Sequence, residues 1–365
     1  MLGIDRRLLQ NFDWMLLALA AGLVGIGLIN LVSATSGGQA ISEVVRRQLM
    51  SLGVGAAVLV VVVAIDYRHF ERMALPVFIA AMLLLVATLV IAPITRGSQS
   101  WLLGDRVQPS EFARVALILG LARRFQRYPA GEIRRLRDLA VPAAITMIPV
   151  MLIVLQRDMG VALLTLLTAS TYLAFVRIPW RAWLGMVAIA LVGLATLWVF
   201  VLAPYQRDRI LDVWDPSRDP LASGYQANQS RIAVGSGGLL GAGYGEGTQT
   251  QLRFLPTQHT DFAFSVLAEE WGFVGSTLVL GLYLVLLLWG LVVARTSKDS
   301  FGAMLAVGVV GALFWPAVLN IGMVLGLAPV IGVPLPLFSY GGSALVSALI
   351  GLGLLLNVSM RRYVF

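Results

Sequence analysis

Long apolar runs separated by short basic stretches constrain this chain more than any other feature. Of its 365 residues, 58% are hydrophobic and 13% are charged, about half the charged share of a typical soluble domain. A soluble core cannot bury that much apolar surface, whereas a bilayer solvates it directly. Several runs approach or exceed the ~20 residues needed to cross a ~30 Å hydrocarbon layer. We therefore predict an all-α polytopic membrane protein.

The apolar runs and their breakers predict about ten transmembrane helices, with ends located to within ~2–4 residues. The fourth of them is the least apolar. The predicted helices lie at residues 14–32, 49–65, 75–92, 109–121, 139–155, 160–176, 184–203, 273–294, 303–325 and 344–357.

The basic residues between these runs predict the orientation of the chain. They are mostly Arg and fall mainly in alternate connections, as is typical of segments retained in the cytoplasm. If the N-terminus is cytoplasmic, an even number of spans also places Arg361 and Arg362 in the cytoplasm. We therefore predict that both termini are cytoplasmic.

One connection is much longer than the others. Within a single integral membrane domain of residues 1–365, residues 205–262 form a large extracytoplasmic loop between the seventh and eighth predicted helices. Loops of this length are usually functional or disordered, and the apolar side chains inside this one favour an ordered loop. Its Gly-rich stretch, residues 235–243, follows no strand, so it does not indicate dinucleotide binding. We expect these glycines to permit tight turns and close backbone approach.

The composition also excludes several classes of site. The chain has no Cys, which rules out disulfides, thiol nucleophiles and thiolate metal sites. With only His69 and His259, a metal would depend mainly on carboxylates or substrate oxygens. The net charge is +8, but the Arg residues lie in short bursts without interleaved aromatics, so we expect no nucleic-acid partner.

Ionisable residues inside apolar runs are costly and therefore mark candidate sites. Glu111 and Arg114, three residues apart on one helix face, form either a structural ion pair or a pair that lines a polar cavity. Glu269 and Glu270 come at the start of the eighth predicted helix, where we expect them to complement the helix dipole. Asp261 precedes that helix and suits two roles equally, as a helix N-cap or as a general base.

Several sequence blocks are spread in order along most of the chain. They are QPSEF at 108–112, GYQ at 224–226, AVGSGGL at 233–239, GTQ at 247–249, FLP at 254–256, HTDF at 259–262 and LPLFSYGGS at 335–343. Together these blocks resemble the SEDS family (shape, elongation, division and sporulation). The short N-terminal extension is most similar to the elongation branch of that family. One departure is Arg157, where the family usually has Pro, which puts the geometry of that turn in question.

The resemblance implies a peptidoglycan glycosyltransferase of the bacterial cell membrane that polymerises lipid II on the extracytoplasmic side, releasing undecaprenyl diphosphate with inversion. It also implies a class B penicillin-binding protein as the transpeptidase partner, together with other membrane proteins of the elongation complex. The family's suspected catalytic carboxylate falls on Asp261. A lipid II flippase and a non-catalytic scaffold are the alternative functions.

Further substrate-binding candidates follow from this reaction. Arg47 and Arg231 suit the diphosphate, because guanidinium groups match phosphate oxygens. Trp101 either stacks on a sugar or anchors at the membrane interface, and His259 shares a motif with Asp261. A divalent cation is a candidate cofactor, and the scarcity of His favours Mg²⁺ or Mn²⁺ over Zn²⁺.

Overall fold

The computed structural model describes residues 10–36, 41–95, 97–104, 106–127, 136–213 and 223–362. Short 3₁₀ turns precede α5 and follow α6, and a π-helical turn follows α7. The helices are α1 Trp14–Ser36, α2 Glu43–Ala64, α3 Tyr67–Ile91, α4 Pro109–Arg127, α5 Ala140–Leu155, α6 Met159–Ser170, α7 Trp180–Thr196, α8 Pro204–Leu211, α9 Ser223–Ser236, α10 Thr248–Gln251, α11 Ala263–Arg295, α12 Ser300–Val324 and α13 Gly342–Arg361.

The fold is that of a helical integral membrane protein, as predicted. Among the described residues, eight helices are long and apolar enough to cross a membrane, namely α1, α2, α3, α5, α7, α11, α12 and α13. The fourth and sixth predicted spans correspond to α4, which carries several charges, and to α6, which is short. The number of spans and the cytoplasmic position of both ends stay predictions.

The weak apolar signal of α4 has a physical reason in its surroundings. This helix packs against α3, α5, α6 and α12, and most of its side chains are buried. Because protein, not lipid, surrounds it, α4 can carry polar residues on a membrane-buried surface. The opposite case is α7, whose apolar side chains are almost all exposed.

Several helices begin earlier than predicted. Helix α2 begins at Glu43 because the Ser42 hydroxyl caps it by accepting a hydrogen bond from the backbone N–H of Val45 at 3.3 Å. Arg47 therefore lies inside α2, within its first two turns. Polar first turns of this kind extend a helix beyond its apolar segment, so hydropathy alone places the start too late.

Helix α11 is broken at Gly272, where φ is 63° and ψ is −159°. The Gly-rich stretch predicted to approach a helix closely packs against this break, and a Cβ at Gly237 would lie 1.9 Å from the carbonyl oxygen of Ala268. Four backbone hydrogen bonds satisfy the groups that the break exposes, as an apolar environment requires. They join Phe273 N to Gly238 O (2.9 Å), Val274 N to Leu239 O (3.1 Å), Ala242 N to Glu269 O (2.9 Å) and Gly243 N to Glu270 O (3.1 Å).

Glu269 and Glu270 do not complement the dipole at the start of α11, so that expectation was wrong. Both are buried more than a turn inside the helix, because α11 begins at Ala263. The Glu269 carboxylate accepts backbone hydrogen bonds from Gln249 at 2.7 Å and Thr250 at 3.1 Å, and so it stabilises α10. The carboxylate of Glu270 accepts a hydrogen bond from a hydroxyl group on α1.

Candidate active site

Two irregular stretches meet beside the apolar bundle. We call residues 253–262, which lead into α11, the aspartate turn, and residues 330–341, which lead into α13, the proline-rich loop. The backbone N–H of Tyr340 donates to the carbonyl of His259 at 3.0 Å, and the two rings lie 5.7 Å apart. The fold thus brings together two stretches that are distant in the sequence.

Asp261 lies in this contact and is partly exposed. Its Oδ2 lies 3.5 Å from the Thr257 hydroxyl, and a Cβ at Gly332 would come within 3.5 Å of the same oxygen. The N-cap of α11 is Phe262, which is fully buried. The carboxylate of Asp261 therefore stands one residue before the helix cap, on a backbone fixed in the core, in a position suited to a general base.

Both stretches contain unusual backbone conformations. Arg253, Thr257 and Leu337 have φ values of 59°, 48° and 63°, in the left-handed region that residues other than Gly rarely occupy. Such conformations persist only where the surrounding structure enforces them, and they cluster at functional sites. Their presence on either side of Asp261 supports this region as the candidate active site.

Buried polar side chains from membrane-spanning helices hold the proline-rich loop. None of them was among the predicted site residues, although a single Gln or Asn in an apolar helix is a signal for a candidate site. They satisfy backbone groups of the loop that would otherwise be unpaired in an apolar environment. The contacts join Gln48 Nε2 to Ser339 O (3.2 Å), Gly341 N to Gln48 Oε1 (3.2 Å), Asn320 Nδ2 to Val333 O (2.6 Å) and the Tyr283 hydroxyl to Pro336 O.

Glu111 and Arg114 form an ion pair on α4, and both are buried, with 3% and 7% of their surface exposed. The hydroxyl of Ser347 donates to the Glu111 carboxylate at 2.9 Å. The pair also lines a small cavity, most of whose walls are apolar, and part of the proline-rich loop lines the same cavity. The pair is thus a buried ion pair that also borders a mostly apolar cavity, and its role stays a prediction.

The turn between α5 and α6 contacts the QPSEF block through a hydrogen bond from Gln108. The Asp158 carboxylate caps α6 through the N–H of Val161 at 3.3 Å and accepts from Gln108 Nε2 at 2.9 Å. Burial raises the pKa of Asp158. Arg157 has a φ of 60°, which a proline cannot adopt, so this turn differs from one built with the family's Pro.

The remaining substrate-binding candidates lie in different surroundings. Arg47 is exposed and pairs with Glu43 at 3.1 Å, while Trp101 is partly buried. The Arg231 guanidinium donates to the carbonyl of Gly326 at 3.1 Å, beside a second small pocket that shares no lining residue with the Glu111 cavity. His259 contacts the proline-rich loop, because its backbone carbonyl accepts the hydrogen bond from Tyr340. The substrate-binding roles of all four stay predictions.

A resident metal would need a group of protein ligands. Across the described ranges, no three His, Asp or Glu side chains come together in an arrangement that would hold an ion. These described residues therefore provide no site for a metal held by the protein alone, and the divalent cation stays a prediction.

This chain is similar to known proteins over most of its length. A family model described as a cell cycle protein, covering FtsW, RodA and SpoVE, matches residues 10–364. The peptidoglycan glycosyltransferase MrdB of Escherichia coli K12 is 40% identical over 91% of this chain and 90% of its own length.

Solved structures agree with this relationship. A chain from a peptidoglycan synthase complex that coordinates polymerization and crosslinking matches with a TM-score of 0.83 and 36% identity, over 97% of this chain and 99% of that chain. The rod shape determining protein RodA of Thermus thermophilus matches with a TM-score of 0.72 and 34% identity, over 96% of this chain and 98% of its own. The chain therefore belongs to the FtsW/RodA/SpoVE family, which is the SEDS family that its motifs indicate.

Proposed function

We propose that this peptidoglycan glycosyltransferase polymerises lipid II into glycan strands, with Asp261 as the general base. The observation that carries the proposal is the partly exposed Asp261 carboxylate, which stands on a buried backbone against the proline-rich loop. Relatives that align over nine tenths of the chain carry the name of this enzyme class. The HTDF block contains this carboxylate, and the LPLFSYGGS block contacts the same turn through Tyr340.

The reaction needs one bond to form and one to break. The 4-hydroxyl oxygen of one lipid-linked disaccharide attacks the anomeric carbon of another, while the bond from that carbon to the diphosphate oxygen breaks. Asp261 accepts the hydroxyl proton, and undecaprenyl diphosphate leaves with the electron pair of the broken bond. A single displacement converts the α linkage into β, so the reaction proceeds with inversion.

Charge on the departing diphosphate requires a positive partner. Arg47 and Arg231 are the candidates for that role, with Trp101 and His259 as candidates for contacts to the sugars. Both arginines already have a partner, a carboxylate for Arg47 and a carbonyl for Arg231, which substrate would have to replace or share. Mg²⁺ or Mn²⁺ enters the proposal only as an ion carried by the diphosphate, and no step above depends on it.

The proposal includes a location and a partner. The active site faces the extracytoplasmic side of the bacterial cell membrane. A class B penicillin-binding protein supplies the crosslinking transpeptidase, within the wider elongation complex. The similarity to a chain from a synthase complex that coordinates polymerization with crosslinking supports this pairing.

A lipid II flippase is the main alternative function, because buried charges such as Glu111 and Arg114 also suit transport. A non-catalytic scaffold is the second alternative. The scaffold predicts that Asp261 can be replaced without loss of cell shape, whereas the flippase predicts transport without polymer.

The substitution Asp261→Asn tests the proposal. It keeps the size and hydrogen-bonding capacity of the side chain but removes the basic carboxylate, so we expect glycan polymerisation to fall by at least ~100-fold, as for loss of a general base. Binding of lipid II and thermal stability should stay near wild type. Asp208→Asn makes the same chemical change at an exposed position on α8 and should leave the rate unchanged. A near wild-type rate for Asp261→Asn would remove Asp261 from the chemistry.

A further inference from the structure

One fully buried side chain links the two stretches of the candidate site. Asn320 lies on α12 and has no exposed surface. Its amide nitrogen donates to the backbone carbonyl of Asp261 at 2.7 Å and to that of Val333 at 2.6 Å. One –NH₂ group therefore joins the aspartate turn to the proline-rich loop.

The carbonyl of Asp261 has particular need of this donor. It lies just before α11, and the first backbone N–H groups of that helix, from Ser265 and Val266, donate to Phe262 instead. An unpaired carbonyl in an apolar environment is unfavourable, so the Asn320 amide fixes where this carbonyl points. The anchored carbonyl constrains the backbone of Asp261 and therefore the point from which its side chain extends.

A second buried amide holds the adjoining residues from another helix. Asn30 on α1 donates to the carbonyl of Ala263 at 2.9 Å and is 2% exposed. The backbone on both sides of Phe262 is therefore held by helices α1 and α12. The aspartate turn is not a free loop but a segment attached to the bundle at two points.

We propose that Asn320 is a positioning residue for the polymerisation reaction and acts by orienting Asp261. The inference rests on the proposed function, since it requires Asp261 to be the base. Asn320 touches the backbone of Asp261 and not the reacting atoms, so its effect comes through geometry. Misplacement of a reacting group by about 1 Å lowers rates by about 100-fold.

The chain offers a matched control at a distance from the site. Asn357 on α13 is also fully buried, and its amide also donates to two backbone carbonyls, those of Val62 and Ile65 at the turn between α2 and α3. Its amide nitrogen makes the same kind of donations, and its oxygen also accepts hydrogen bonds from the Tyr67 backbone and from Arg361. None of these hydrogen bonds involves the aspartate turn or the proline-rich loop. A purely structural amide should therefore behave like Asn357.

The test compares Asn320→Ala with Asn357→Ala in the purified full-length protein, using lipid II as substrate. We expect both variants to lower the melting temperature by similar amounts. Only Asn320→Ala should lower kcat, by about 100-fold, while its KM for lipid II changes less than about threefold. Asn320→Ser keeps a single donor and should recover part of the lost kcat.

Three outcomes separate this inference from the proposed function. A wild-type kcat in Asn320→Ala overturns the inference. If Asn320→Ala does not fold, a wild-type kcat in Asn320→Leu, which also lacks a donor, overturns it. Equal losses of kcat in Asn320→Ala and Asn357→Ala also overturn it, because they show a general effect of stability. If Asp261→Asn polymerises normally, the base assignment fails first, whatever Asn320 does.

Discussion

Glu111 and Arg114 show how a charged pair can be accommodated inside this bundle. Moving two charges out of water costs several kcal/mol for each ion, which their attraction offsets only with good geometry and further hydrogen bonds. The Ser347 hydroxyl provides one such hydrogen bond to Glu111. The pair therefore tolerates burial only while both members are present.

Removing one member should be more damaging than removing both. Glu111→Leu leaves the Arg114 charge buried and should lower the free energy of unfolding by about 3–5 kcal/mol. The double variant Glu111→Leu, Arg114→Met keeps the volumes and should recover most of that loss. Urea unfolding in detergent measures both, and losses that simply add in the double variant would contradict the account.

The activity of the same double variant distinguishes the two interpretations of the pair. Polymerisation near the wild-type rate would mean that the pair is only structural. A stable but inactive double variant would mean that the charged pair in the cavity takes a direct part in the reaction.

Single residues were predictable to different degrees. Asp261 stood out because a carboxylate follows a polar loop at the start of a long apolar run, and because it lies in a family motif. Asn320 stands out as a polar residue in an apolar helix, but the sequence does not indicate its partner. The carbonyl that it contacts lies 59 residues away in the sequence. Local pattern cannot identify such a partner, because the hydrogen bond exists only once α11 and α12 have packed.

The break in α11 is the feature of a single helix that most shapes the site. It lets residues 263–271 run in a separate direction from residues 273–295, so that the helix can start at the aspartate turn. The φ of 63° at Gly272 is accessible to glycine at no steric cost. A Cβ there would lie 2.3 Å from the backbone nitrogen of Gly241 and 2.7 Å from the carbonyl oxygen of Leu239.

Gly272→Ala should therefore destabilise the protein by at least about 1–3 kcal/mol through backbone strain alone. The four hydrogen bonds that join the Gly-rich stretch to α11 should weaken as well. Gly281→Ala is the matched control, because it lies in the same helix and its Cβ would have no atom within 4 Å. That control should be neutral or slightly stabilising. Thermal unfolding of the two variants in detergent compares them, and equal melting temperatures would contradict the role given to Gly272.

Whole helices were more predictable than their ends. The apolar segments of α1, α7 and α12 follow directly from hydropathy, because each faces lipid or apolar neighbours along its length. The first turns of α2 and α3 were missed, since polar residues continue those helices beyond the apolar segment. The first third of α11 was missed for a related reason. The charged residues Glu269 and Glu270 interrupt its apolar pattern, so hydropathy places the start of the helix after them.

The molecule as a whole is an apolar helical bundle that fixes a polar, irregular site. Helices α2, α11 and α12 each contribute one buried polar side chain to the backbone of the aspartate turn or the proline-rich loop, and α1 contributes one to the first residue of α11, next to the aspartate turn. The order of helices and the family motifs were readable in the sequence. The contact between the two irregular stretches was not, because it depends on packing between helices that are far apart along the chain.

Polymerisation in the absence of a bilayer tests the central claim most directly, because detergent micelles have no leaflets between which a lipid could be moved. Purified protein, incubated in detergent with lipid II and with the proposed class B penicillin-binding protein, should produce glycan strands many disaccharides long on a gel. The same mixture with Asp261→Asn should produce none. Failure of the wild-type protein to form polymer, together with movement of lipid II across vesicle leaflets, would contradict the account and identify a transporter.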